Sequence, residues 1–216
     1  MAALQAIGGA NDFYDLPFLL LASGLERLCK CILIVDRLHQ NESFPSVKQM
    51  KEYGHALDGL IEEVKLRSFV EEYLERPIAR EDLDFLSSDR MLAQIVEYLS
   101  DFAQSGRYYD LDAILAKPQG DMSPQDKWEK MELDVIMADP SLKELLTKPG
   151  PKDELHEQVN THFVAILERL VRALTRTFTL GPASGTARKY HGQFYKFIVL
   201  TDSELGRTKY ESLKPQ

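Results

Sequence analysis

Glu26 and Lys30 stand four residues apart in a run otherwise built of Leu, Ile, Val and Cys, and His55 follows on the next amphipathic segment as part of Glu52-Tyr53-Gly54-His55. Glu ahead of Lys at this spacing is the favoured orientation of a helix ion pair. If a helical hairpin buries the pair together with the imidazole, the three groups form one hydrogen-bonded network that fixes helix register or lines a cleft. On the rim the same pair contributes only a few tenths of a kcal/mol. Glu52 and His55 also have the E-x-x-H spacing of di-iron bundles, but such a centre needs a second E-x-x-H and two further inward glutamates, which the chain lacks. His156 and His162 lie about 240° apart around a helix and cannot share one ion, so no metal is expected.

A second group with chemical potential is basic. Arg169, Arg172 and Arg176 recur at i, i+3 and i+7, with Arg188, Lys189 and His191 shortly after. Guanidinium groups on one stripe can hold phosphates through paired donors. The plainer reading is a solvated helix face, since cations are favoured near helix C-termini. Charge is distributed to match: residues 1–150 hold 16 Lys+Arg against 27 Asp+Glu, and residues 151–216 hold 10 against 7. The formal net charge of -8 excludes nucleic-acid binding through the whole surface, and it directs any anion site to the last third.

Other chemistries lack their signatures. No G-x-S-x-G turn marks a nucleophile, Gly181-Pro-Ala-Ser-Gly185 does not complete a phosphate loop, and no G-x-G-x-x-G follows a strand, so no cofactor is expected. Cys29 and Cys31 point about 200° apart on a helix and read as small buried residues of a reducing compartment. The apolar run 16–22 is too short to span a bilayer, and no basic segment precedes it. The reading is a cytoplasmic protein without a membrane segment.

The elements that must position these groups are helical. Residues 1–11, with Gly8-Gly9, read as a loosely docked lead-in. A first helix is predicted from about Pro17 to His39, nearly apolar all round and therefore central. Ser46 caps a second, in which Tyr53, Leu57, Leu60, Ile61 and Val64 keep helical spacing, and the two pair antiparallel. Residues 66–87 read as a short helix and a connection, and Ser87 or Ser88 starts a helix that Gly106 stops. Lys117-Pro118-Gln119-Gly120 is a turn, and Ser123-Pro124 starts the next helix. After the break at 148–151, the spacing from Leu155 to Phe178 predicts the longest helix, closed by Gly181-Pro182. Residues 194–200 fit a buried strand by content and a helix by spacing; helix is preferred because no partner strand is visible.

Gly24-x-Glu26-x-x-x-Lys30 on the first helix, Tyr53-Gly54-His55-x-Leu57-x-x-Leu60 on the second and Arg107-Tyr108 after the third resemble the HEPN superfamily of helical bundles, over residues 17–112. The resemblance implies an all-α bundle, frequent dimerisation, and association with RNA or nucleotides in toxin, abortive-infection or nucleotidyltransferase-partner systems. Glu26, Lys30, His55 and Arg107 match recurring positions of that family. Its nuclease members share an R-x4-6-H motif, and none of the five histidines here follows an arginine at that spacing. The resemblance is therefore to a non-nuclease branch.

These readings converge on an all-α, up-and-down bundle of about five to seven helices with a long C-terminal helix and a short tail. Residues 12–115 form the HEPN-like core, 116–150 connect, and 151–216 supply the long helix and an amphipathic tail packed on the core, as separate units or as one single domain. The expected function is a non-catalytic interaction module in a defence or toxin-antitoxin-like context, homodimeric through apolar helix faces, holding RNA or a nucleotide phosphate near Arg169, Arg172, Arg176 and Arg188. The alternatives are a metal-independent RNase using His55 or His191 with Arg107 or Arg188, and a purely structural subunit. In the latter the arginines pair with carboxylates of the acidic first two-thirds.

Overall fold

Phe18, Leu21, Leu25, Leu28 and Ile32 recur at three- and four-residue spacing, and in the computed structural model they form the buried side of a helix running Asp15–His39. The structure describes residues 1–7, 15–40, 43–104, 115 and 122–210. Among the described residues the regular elements are α-helices and one 3-10 turn at 188–190, so the fold is all-α. They run α1 (Ala2–Gln5), α2 (Asp15–His39), α3 (Val47–Glu52), α4 (Leu57–Ser68), α5 (Glu71–Leu74), α6 (Pro77–Ser88), α7 (Arg90–Gln104), α8 (Pro124–Ala138), α9 (Pro140–Thr147), α10 (Asp153–Leu180), α11 (Ser184–Ala187) and α12 (His191–Ile198). Six of them, α2, α4, α6, α7, α8 and α10, have twelve residues or more. These make the bundle.

α2 lies against α4 and α7, and α10 touches α1, α2, α6, α7, α8, α9 and α12. At 1.5 Å per residue α10 spans about 42 Å, enough to run along the whole bundle. Four helices meet at one aromatic cluster: Phe18 of α2 is 4.8 Å from Tyr98 and 4.7 Å from Trp128, and Trp128 is 4.6 Å from Phe163. The buried apolar side chains form one cluster from Leu4 to Ala187.

Several local expectations are corrected. The second helix is two, because Gly54 takes φ +66 and breaks the chain between α3 and α4. Glu52 and His55 therefore share no helix face. α4 begins at Leu57 without a cap of its own; Ser100 of α7 accepts from the Leu57 N–H at 3.0 Å and donates to Asp58. Asp89, rather than Ser87 or Ser88, closes the start of α7 by accepting from the Leu92 N–H at 2.8 Å. Residues 66–87 are more helical than expected, with Pro77 opening the twelve-residue α6. The lead-in is docked at α1, where Leu4 is fully buried. Residues 194–198 are helical, within α12.

Among the described residues α2 is covered on one side only. Leu16, Leu19 and Leu20 are 58%, 43% and 55% exposed, and a Cβ placed on Gly24 would meet no atom within 4 Å. Gly24, Arg27 and Cys31 continue this outer face in solvent. Cys31 is thus exposed, while Cys29, on the opposite side, is buried. No helix among the described residues is long and apolar enough to cross a membrane.

Candidate functional site

The α3–α4 turn brings His55 to α2. His55 Nδ1 lies 3.0 Å from Glu26 Oε2, and Lys30 Nζ donates to Glu26 Oε1 at 2.7 Å. Three constraints set this geometry: the helical register that stacks Glu26 under Lys30, the left-handed Gly54 that turns the chain, and the Ser100 cap that anchors α4 two residues after His55. Burial pushes the Glu26 carboxyl up, but the hydrogen bonds and charges of Lys30 and His55 outweigh it, and the group ends below its ordinary value. The cluster is a rim feature. The side chains of Glu26 and Lys30 are only 19% and 14% exposed, whereas that of His55 is 65% exposed.

A neutral His55 that donates from Nδ1 to Glu26 leaves Nε2 as a base on the solvent side. The carboxylate orients the ring, as an acid does behind a general base. Lys30 holds Glu26 in place. No group of three or more His, Cys, Asp or Glu side chains suited to a metal ion occurs among the described residues.

The three arginines of α10 meet three different partners. Arg169 lies over the Phe85 ring, its Cζ 4.1 Å from the centroid. Arg172 is buried and donates to the Leu200 carbonyl at 2.8 Å and to Asp202. Arg176 donates to both oxygens of Asp82, at 2.9 and 3.2 Å. The solvated-face reading is corrected here: α10 is packed on several sides, so Arg172 is buried and Arg176 largely covered, while Arg169 stays partly exposed. Arg188 and Lys189, by contrast, are exposed at the 3-10 turn. His191 opens α12. Arg107 lies outside the described residues.

Arg172 and its neighbour Glu168 fasten the C-terminal segment to α10. Glu168, fully buried, accepts from the Gly206 N–H and, at 2.7 Å, from the Tyr210 hydroxyl. Gly206 takes φ +79, and a Cβ there would come within 2.8 Å of the Thr161 carbonyl. Gln5 of α1 donates to the Thr208 carbonyl at 2.7 Å and accepts from the Tyr210 N–H. Sequence reasoning passed over Glu168 and Asp82. The available signal for Glu168 was a carboxylate one turn before Arg172 within the apolar run Val164 to Val171.

Comparison of the chain with family models, curated proteins and solved structures gives no match.

Proposed function

We propose that the chain is a non-catalytic, HEPN-like interaction module that works as a homodimer through the outer face of α2. The observation that carries this reading is the trio Leu16, Leu19 and Leu20, each more than two-fifths exposed on a helix whose sequence is apolar all round. One side of α2 meets its own chain; the other is matched by a second copy. Burying a leucine of this kind contributes about 1.5–3 kcal/mol. Gly24 leaves room for the close approach of a facing helix. A self-complementary contact about a two-fold axis then buries the same residues on both protomers. In this reading, a bound RNA or nucleotide phosphate meets Arg188 and Lys189, because Arg172 and Arg176 are taken up by Asp202 and Asp82.

The variant Leu16→Glu/Leu20→Glu tests the interface. Both positions are exposed in the protomer, so its circular dichroism stays that of the native chain, and light scattering reports a monomer. A folded variant that remains dimeric would place the contact elsewhere.

The Glu26–His55 contact favours one second reading, a metal-independent RNase with His55 Nε2 as general base. Incubation with total RNA in EDTA separates the two. Cleavage that disappears in His55→Ala favours the enzyme, and RNA left intact by the native chain counts against it.

A further inference from the structure

We propose that the cleft between the first half of α10, the end of α1 and residues 206–209 binds a short zwitterionic peptide, its ammonium end held by Asp153, Glu157 and Asn160 and its carboxylate by Arg207. The cleft offers about 720 Å³, within the range of small-ligand sites. It uses no residue of α2 and so stands apart from the dimer reading.

Asn160 is the observation that points to a ligand. The residue is 3% exposed, and its Nδ2 donates to the Ile7 carbonyl at 2.7 Å, which settles the end of the amide that carries the oxygen. Oδ1 accepts from no group among the described residues, yet it is not sealed off: it keeps accessible surface toward the cleft that Asn160 lines. An amide carbonyl left open on an otherwise buried residue lacks a donor, which a ligand N–H supplies.

Asp153, Glu157 and Asn160 stand at i, i+4 and i+7 on α10, so they form one row of acceptors about 10 Å long. An extended chain of three residues has about the same length. The helix macrodipole accounts for a carboxylate in the first turn, where Asp153 lies, but it fades before Glu157. Arg207 lines the same cleft from the 206–209 segment, with Lys209 beside it. Asp153, Glu157 and Arg207 make no side-chain hydrogen bond or ion pair among the described residues, although opposite charges share one cleft. A ligand with a cation at one end and an anion at the other satisfies both walls. A diamine meets Arg207, and a dicarboxylate meets the α10 row, with like charge in each case. Ala6 and Ile7 add apolar lining, which suits small uncharged side chains.

Calorimetric titration of the full chain with trialanine, with N-acetyl-trialanine and trialanine amide as separate arms, tests the assignment. Trialanine is expected to bind at least about tenfold tighter than either blocked form. Arg207→Gln is expected to weaken trialanine about tenfold or more and to abolish its advantage over the amide. Asp153→Asn combined with Glu157→Gln is expected to weaken it as much and to abolish its advantage over the acetylated form. All three positions are exposed, so both variants keep the native circular dichroism spectrum. Absence of trialanine binding, either blocked form binding as tightly as trialanine, or either variant binding like the native chain would overturn the proposal.

Discussion

Asp82→Ala is expected to lower the unfolding free energy by about 3–5 kcal/mol, because it leaves the Arg176 guanidinium without its counter-ion in the interior. The Asp82 side chain is 3% exposed and that of Arg176 12%, and the two hydrogen bonds between them join α6 to α10. Burial pushes the Asp82 carboxyl up, and the charge and hydrogen bond of Arg176 offset that only in part. The pair thus recovers little beyond its own desolvation. Asp82→Leu combined with Arg176→Met is accordingly expected to come within about 1–2 kcal/mol of the native chain. Urea unfolding of the single and double variants measures this. A loss for Asp82→Ala no larger than a surface substitution, about 0.5 kcal/mol, would mean that Arg176 is solvated.

The second large effect is on pH dependence and concerns Glu132 of α8. Its Oε1 accepts from the Trp128 indole at 2.9 Å, and burial pushes its carboxyl up to about 7, with the indole hydrogen bond opposing and the charge of Glu129 adding. A folded-state value above the ordinary 4.5 means that the protonated form is the one the fold accommodates. The corresponding stability is fully present below 4.5 and is lost as pH rises through about 7. Allowing for partial solvent contact, the loss amounts to about 2–3 kcal/mol. Glu132→Gln keeps an acceptor for the indole and removes the charge, so its stability should stay level over the same range and exceed the native value at alkaline pH. Trp128 is the one tryptophan of the chain, which makes its fluorescence a local report of the same titration. Parallel pH profiles for the two proteins would show that Glu132 is not the group responsible.

Helix periodicity made α2 and α10 legible, since both keep apolar residues at three- and four-residue spacing for more than six turns. Ser46 and Ser123 marked their helix starts for the same local reason: each forms a capping box, with Gln49 and Asp126. The break at Gly54 escaped because Tyr53 and Leu57 stay four apart across it, so the pattern alone continues as though one helix ran through. The Glu26–Lys30 part of the site is local and was readable. The arginines were not, because their partners Asp82, Leu200 and Asp202 lie 94, 28 and 30 residues away, and nothing in the spacing of α10 names them. Nor does helix periodicity explain why α2 carries Leu16, Leu19 and Leu20 on a side that faces water.

That outer face is where the functional account stands or falls. Sedimentation equilibrium of the unmodified chain measures it most directly. The predicted result is a species of twice the 24.6 kDa chain mass that dissociates only on dilution. A single species of 24.6 kDa at every concentration would contradict it.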